Sequence, residues 1–220
     1  TALRAQLENL VDGVSEPDHA TLEAALEQTE RLGRLVAYLL DLSRIEAGAV
    51  GLEIADVPLA EFLRRAAAEA EPLAAPKRLE LAVDVQPSDL TVPADAERLH
   101  QVVANLLHNA VRHSPPETTV RLVARRGGSR VVIDVVDQGP GIPRSDRSRV
   151  FERFSRGNAP NLTGQESTGG TGLGLAIVRW AVQLHGGTVH VADSPAGCVM
   201  RVTLPAERHR SGAPAATVAR

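Results

Sequence analysis

Two asparagines, Asn105 and Asn109, lie four residues apart in a segment whose apolar residues recur at helical spacing. Residues four apart occupy one face of a helix, so both side-chain amides project from the same side. An amide oxygen is a suitable hard ligand for Mg²⁺, and a buried amide is costly unless it is paired. A single asparagine more often caps a helix or bonds locally, but two on one face, followed by Arg112, favour a binding surface.

A carboxylate follows a predicted strand in the segment Asp137-Gln138-Gly139-Pro140-Gly141-Ile142-Pro143. Such a group at a strand end can accept a hydrogen bond from an exocyclic amine, for example that of adenine. Gly139 and Gly141 would let the chain turn beneath a flat ring. The alternative is an ordinary Asp-Gly turn, a common pattern that carries little weight alone.

A glycine-dense loop, Gly169-Gly170-Thr171-Gly172-Leu173-Gly174, leads into an apolar segment with helical period. The unpaired N–H groups and the positive dipole end at a helix start both attract phosphate. Two interpretations remain open at this point, a nucleotide-phosphate loop and a flexible loop that only caps a helix.

Phe151 and Phe154 stand close together in the polar stretch 144–168, although the whole chain contains only three phenylalanines. A loop of this length inside a compact domain is usually functional or mobile. The two rings could anchor a lid while the rest of the loop moves. The alternative is a small satellite hydrophobic cluster.

The elements that must position these segments alternate between strand and helix after residue 51, which predicts an α+β fold with a mixed sheet. The predicted helices span 59–75, 95–111 and 173–184, and the predicted strands span 52–57, 79–85, 120–125, 131–136, 188–191 and 199–204. Residues 206–220 are polar and rich in Ala and Pro, so we expect a disordered tail.

Residues 1–48 contain two helical patterns separated by a turn, with Asp18 as the expected N-cap of the second helix. The second helix has a long apolar stripe that one short helix cannot cover. We therefore favour a helical hairpin that forms a homodimeric four-helix bundle. Packing of the hairpin against the rest of the same chain is the alternative.

Composition excludes several classes of function. The chain has 220 residues and a formal net charge of −3, which gives no support for nucleic-acid binding. Cys198 is the single cysteine, so neither an internal disulfide nor a cysteine metal cluster is expected. Lys77 is the only lysine among many arginines, a usage typical of a GC-rich genome that by itself predicts no chemistry. We find no apolar run of membrane-spanning length and no signal peptide.

The four segments together resemble, in order and spacing, the N, G1, F and G2 boxes of bacterial sensor histidine kinases. The resemblance covers residues 52–205 and extends to the wider group of ATPases that includes gyrase, Hsp90 and MutL. It implies a two-layer α/β sandwich with a mixed sheet, preceded by a dimerisation and phosphotransfer hairpin. ATP would bind between helices and a lid.

The resemblance also implies roles for single residues. Asn109 would bind the Mg²⁺ that bridges the triphosphate, with Asn105 beside it, and Arg112 would contact phosphate. His113 stands where an aromatic ring commonly packs near the adenine, although it could simply face solvent. Asp137 would accept a hydrogen bond from the adenine amine. The remaining expected contacts are the pocket residues Gly139, Gly141 and Ile142, the lid anchors Phe151 and Phe154, the phosphate loop Gly170, Thr171, Gly172, Leu173 and Gly174, and possible γ-phosphate contacts from Arg153 and Arg156.

The chemistry implied by the resemblance is transfer of the ATP γ-phosphoryl to a histidine on the hairpin, followed by relay to an aspartate of a response regulator. None of the seven histidines has the sequence context of that acceptor. We therefore expect the chain to start a few residues after it, as the cytoplasmic part of a membrane-tethered sensor. His185 is expected to be structural, since it precedes a Gly-Gly turn at a helix end.

Two other functions compete with the kinase. One is a dimeric signalling module that binds nucleotide as a switch without transferring phosphate. The other is a serine kinase of the same ATPase group, against which the predicted hairpin argues because that class usually lacks one.

Overall fold

The computed structural model describes residues 52–152 and 174–207. It also describes isolated positions nearer the N-terminus, namely Glu8, Asp12, Asp18, Thr21, Leu22, Ala25, Leu26, Thr29 and Gly33. The expectations for the hairpin as a whole, for the segment 153–173 and for the tail after residue 207 therefore lie outside the described residues. One of them can still be followed: the Asp18 carboxylate accepts a hydrogen bond from the Thr21 amide at 2.7 Å, as expected of an N-cap.

The chain divides into two compact units, and the larger one comprises residues 52–157 and 174–220. Its elements are β1 (Ile54–Pro58), α1 (Leu59–Ala74), β2 (Glu80–Gln86), β3 (Thr91–Asp95), α2 (Ala96–His113), β4 (Thr119–Gly127), β5 (Arg130–Asp137), α3 (Gly174–Leu184), β6 (Thr188–Ala192) and β7 (Cys198–Pro205). Single 3₁₀ turns are formed by Ala75–Lys77 and Arg149–Phe151.

Five strands form a mixed sheet in the order β2-β4-β5-β7-β6. Strand β2 pairs in parallel with β4, whereas the other neighbours pair antiparallel. A separate antiparallel pair joins β1 to β3. This arrangement confirms the expected α+β class with a mixed sheet.

The core lies between the three helices and one face of the five-stranded sheet. Apolar residues of α2 recur three and four positions apart, so they form one buried stripe along the helix. In β5, Val131, Ile133 and Val135 belong to the same buried cluster. The alternate residue Asp134 projects from the other face, where the Arg201 guanidinium of β7 donates two hydrogen bonds of 2.7 Å to its carboxylate.

Sequence patterns predicted most elements within two residues, and β3 is the exception. Its segment Thr91–Asp95 contains Pro93, which has no N–H to donate and therefore weakens the pattern of a strand. The pairing of β3 with β1 alone tolerates this residue, since β1–β3 is a two-stranded sheet. Helix α2 also continues two residues past the predicted end, to His113.

Candidate functional site

Helix α2 carries four of the expected site residues, and Asp95 fixes where it begins. The Asp95 side chain accepts a hydrogen bond from the Arg98 amide at 3.1 Å, which satisfies one of the free N–H groups of the first turn. From this start, Asn105 and Asn109 fall beside the buried stripe and are partly buried. Both amides are thus on a surface between core and solvent, as their four-residue spacing predicts.

Asn105 is held in one orientation. Its Nδ2 donates to the Gln101 carbonyl one turn earlier at 2.8 Å. Its Oδ1 lies against the first residue of α3, because a Cβ built on Gly174 would lie only 2.9 Å from that oxygen. The structure therefore brings one glycine of the expected phosphate loop into contact with one asparagine of α2.

Asp137 ends β5 and is buried, with 6% of its surface exposed. Its Oδ1 accepts a hydrogen bond from the Gly139 amide at 2.8 Å. Burial raises the pKa of this carboxyl, while the backbone N–H groups of Gly139 and Cys198 and the nearby His113 act in the opposite direction. A buried acceptor of this kind favours a partner that brings its own N–H donors.

Gly139 passes directly beneath the end of α2. A Cβ at this position would lie 2.6 Å from the His113 carbonyl oxygen, which is backbone and cannot move aside as a side chain would. Gly141 has a φ of +73°, and its Cβ would lie 2.8 Å from the Gly197 carbonyl oxygen. The two glycines therefore allow close approach of three chain segments, rather than only a turn beneath a ligand.

The turn before β7 forms the back of this site, and sequence patterns did not identify it. Gly197 has a φ of +72°, and a Cβ there would fall 1.9 Å from the Asp137 carbonyl oxygen. The next residue, Cys198, is buried, and burial together with the Asp137 charge raises the pKa of its thiol to about 12. The Pro-Ala-Gly segment at 195–197 signals a turn, but nothing local shows that it packs on Asp137.

His113 ends α2, with part of its side chain at the surface and part of it against neighbouring atoms. Desolvation by surrounding atoms lowers the pKa of its imidazole, and the neighbouring Arg112 charge lowers it further. The Asp137 charge acts in the opposite direction, so the two side chains lie within electrostatic reach of each other. At neutral pH this favours an uncharged ring beside the Asp137 carboxylate.

The segment that follows the Asp137 turn is attached to the rest of the domain by apolar packing and by hydrogen bonds of Arg147. Phe151 is buried with 4% of its surface exposed, and Ile142 packs on the same core from its partly buried position. Arg147 donates to the Ile142 carbonyl at 3.2 Å and to the Asp193 carboxylate at 2.6 Å. The proposed partners in the rest of the lid, Arg153, Phe154, Arg156 and residues 170–173, lie outside the part of the chain that the structure describes.

The expectation for His185 is also explained by contacts. Its Nε2 accepts a hydrogen bond from the Asp95 amide at 3.0 Å, and its Nδ1 lies 2.7 Å from the Ala181 carbonyl oxygen. The ring thus joins the end of α3 to the start of α2. This structural role is the one the sequence predicted.

A model of the histidine kinase-, DNA gyrase B- and HSP90-like ATPase family matches residues 94–208, which include α2, Asp137, the turn before β7 and α3. The chain belongs to this family. Within it, the resemblance to sensor histidine kinases rests on named relatives. The probable sensor histidine kinase TcrY of Mycobacterium tuberculosis is 42% identical over 187 residues, covering 85% of this chain and 38% of TcrY.

Two further family members agree. The sensor protein SphS of Synechococcus elongatus is 37% identical over 213 residues, covering 94% of this chain and 51% of SphS. The solved structure of full-length ShkA in complex with AMPPNP superposes with a TM-score of 0.70 at 31% identity, covering 87% of this chain and 39% of ShkA. The chain therefore spans about half or less of the length of these family members.

Two donor groups of the described residues are of the type that would fit a nucleotide with a divalent cation. Asp137 is a buried hydrogen-bond acceptor at a strand end, and Asn109 is a partly buried neutral amide on α2. Among the described residues, no group of three or more His, Cys, Asp or Glu side chains forms a metal cluster. No helix in the described ranges is long and apolar enough to cross a bilayer.

Proposed function

We propose that this chain is the ATP-binding catalytic part of a protein-histidine kinase. It binds Mg²⁺-ATP at α2 and the Asp137 turn, and the γ-phosphoryl passes to a histidine for relay to an aspartate of a response regulator. In that transfer the bond between the γ-phosphorus and the bridging oxygen breaks, a bond to an imidazole nitrogen forms, and ADP leaves.

The observation that carries the proposal is the environment of Asp137. Its carboxylate is buried, and the Gly139 amide at 2.8 Å provides a hydrogen bond to one oxygen. The backbone around it approaches so closely that Gly139 and Gly197 cannot carry a side chain without displacement. A rigid, buried acceptor at a strand end is suited to select an adenine amine over a guanine carbonyl, which would place an acceptor against an acceptor.

Three residues of α2 would serve the triphosphate end of the nucleotide. Asn109 would provide an oxygen to Mg²⁺, which neutralises the triphosphate charge, and Arg112 would contact phosphate. Asn105 would hold the start of α3 in place through Gly174, the neighbour it contacts in the structure. Phosphoryl transfer depends mainly on such positioning and charge neutralisation, so these residues need no proton-transfer role.

Nucleotide binding is tested first, with the complete chain and calorimetry in the presence and absence of Mg²⁺. We expect ATP to bind more tightly with Mg²⁺, and Asn109→Ala to abolish that difference. His100→Ala is the matched control on the same helix, because His100 contacts Glu69 of α1 rather than the proposed site. Equal Mg²⁺ dependence in Asn109→Ala and the unsubstituted protein would refute the assigned role of Asn109.

Phosphoryl transfer is tested with γ-labelled ATP and a separately purified protein that carries the acceptor histidine of a family member. Label on the acceptor, lost on treatment that hydrolyses phosphohistidine, supports the kinase. Measurable ATP binding without transfer in trans would instead leave a nucleotide-dependent switch. Label that is stable to acid and found on serine would identify the serine kinase.

The partners follow from the same proposal. We propose a homodimer through residues 1–48 and a response regulator as the phosphoryl recipient, in a longer sensor protein that is tethered to a membrane and keeps this part in the cytoplasm. The names of the relatives TcrY and SphS, a sensor histidine kinase and a sensor protein, support this assignment. Equilibrium sedimentation of the chain tests the dimer directly.

A further inference from the structure

The only lysine of the chain lies under the end of the helix that carries the proposed nucleotide contacts. Lys77 is the last residue of the 3₁₀ turn after α1, and its side chain reaches the end of α2. Its Nζ donates to the carbonyl oxygens of Val111 at 3.0 Å, Arg112 at 2.6 Å and Ser114 at 3.1 Å. An ammonium group has three donors, and here all three have an acceptor.

These contacts matter because the last four carbonyls of a helix have no partner within it. In α2 they belong to Ala110, Val111, Arg112 and His113. The Ala110 oxygen accepts from the Ser114 amide at 2.9 Å and from the Ser114 hydroxyl at 2.7 Å. Lys77 donates to the Val111 and Arg112 oxygens. The remaining oxygen, that of His113, lies close to Gly139.

Lys77 is itself held by its neighbours. The Glu117 amide donates to the Lys77 carbonyl at 2.9 Å, and the Glu80 amide donates to the Thr118 carbonyl at 3.0 Å. The Arg78 guanidinium also pairs with the Glu117 carboxylate. The segment that follows α1 is therefore bonded to the segment that follows α2. Burial and the nearby Arg112 charge lower the pKa of Lys77, which is consistent with a side chain packed against that helix end.

We propose that Lys77 is a positioning residue for nucleotide binding, which fixes the last turn of α2 so that Arg112 and His113 face the ligand. The inference rests on the proposed function, because it concerns the same nucleotide site. A cation at a helix C-terminus is favourable in itself, but the three bonds give Lys77 a geometric role as well. Gly139 lies against the His113 carbonyl of the same turn, so this helix end has both a side-chain donor and a close backbone contact.

The test compares three substitutions in the complete chain. Lys77→Met removes the donors and the charge, and Lys77→Gln keeps two donors without the charge. Arg65→Met is the control for charge, because it removes one positive charge from an exposed position of α1 where Arg65 pairs with Glu61. The readouts are the dissociation constant for Mg²⁺-ATP and amide hydrogen exchange by NMR at Ser114 and at Val103 in the middle of α2.

We expect Lys77→Met to weaken Mg²⁺-ATP binding by about tenfold, of the order of one charge-assisted hydrogen bond. Exchange at Ser114 should accelerate while exchange at Val103 stays unchanged. Lys77→Gln should give smaller changes of the same kind, and Arg65→Met should leave both readouts at their original values.

A folded Lys77→Met protein with unchanged affinity and unchanged Ser114 exchange would overturn the inference. So would an equal acceleration at Ser114 and Val103, since that describes a general loss of stability. If Lys77→Met does not fold, the test rests on Lys77→Gln. Unchanged Mg²⁺-ATP affinity and unchanged Ser114 exchange in Lys77→Gln would then overturn the inference. Absence of ATP binding by the unsubstituted chain would refute the proposed function itself, and it is therefore a distinguishable result.

Discussion

The Oδ1 of Asn105 lies 2.9 Å from the position that a Cβ on Gly174 would occupy. The asparagine cannot rotate away freely, because its Nδ2 is bonded to the Gln101 carbonyl at 2.8 Å. The space between the start of α3 and the middle of α2 therefore has room for a glycine at position 174 but not for a larger residue. Substitution of the glycine must displace either the amide or the start of α3.

Gly174→Ala is accordingly expected to reduce the free energy of unfolding by about 1–3 kcal/mol, the usual range for an overfilled contact. It should also weaken Mg²⁺-ATP binding, because the loop that α3 follows is part of the proposed phosphate site. Thermal unfolding and calorimetry measure the two effects. Gly127→Ala is the control, since its Cβ would meet Val132 at an ordinary 3.6 Å. Equal results for both variants would contradict the steric argument.

Asp137→Asn is expected to change two properties in different ways, namely the pH dependence of stability and the affinity for ATP. Burial raises the pKa of Asp137, so the folded state binds this proton more tightly than the unfolded chain does. The stabilisation from that proton is fully present below the ordinary carboxyl pKa and is lost as the pH rises through the raised value. Asparagine has no such dependence. The stability of the Asp137 protein relative to Asp137→Asn should therefore fall across this window and stay constant above it.

The same variant should bind ATP much more weakly at neutral pH, because its amide nitrogen presents a donor where the carboxylate presents an acceptor. Urea unfolding between pH 3 and pH 7 in about five steps, combined with calorimetry at neutral pH, checks both statements. A relative stability that rises with pH would show that hydrogen bonds, and not burial, dominate the pKa of Asp137.

His185→Ala should lower stability without changing nucleotide affinity. It removes the acceptor for the Asp95 amide, and an unsatisfied, partly buried N–H costs about 1–3 kcal/mol. His190→Ala is the control, because His190 is exposed on β6 and such substitutions change stability by less than about 0.5 kcal/mol. Denaturant unfolding and ATP titration of both variants test this. An affinity loss in folded His185→Ala would assign the histidine a part in binding.

Arg201→Met should destabilise the sheet through its partner. Asp134 is 7% exposed, so loss of the guanidinium leaves a buried charge whose remaining ion-pair partner among the described residues is Arg125, 3.8 Å away. We expect a loss of about 2–3 kcal/mol, below the range for fully buried pairs because the Arg201 side chain is 32% exposed. The double variant Asp134→Val/Arg201→Met should regain most of this stability. A double variant less stable than Arg201→Met would show that the pair itself stabilises the fold.

Local patterns predicted the elements that carry the proposed site residues, but not the distant segments that pack against them. Asn105 and Asn109 follow from helical period, and Asp137 follows from its place after an alternating apolar run. Gly197 and Lys77 could not be found in this way, since topology brings them to Asp137 and α2 from distant parts of the chain. As the single lysine, Lys77 stands out in the sequence only through composition, whereas in the structure its ammonium group bonds three carbonyl oxygens. β3 was missed because Pro93 obscured a short strand.

Helix α2 is restrained at both ends by side chains that lie outside it. At its first end the His185 ring bonds the Asp95 amide, and at its last end Lys77 bonds the Val111 and Arg112 carbonyls. A rotation of α2 about its own axis would break both sets of bonds together. We therefore expect the position of α2 to be the same in related proteins, so that their α2 backbones superpose even where their ligands differ. Differences in ligand preference would then come from substitutions on this helix and not from its movement.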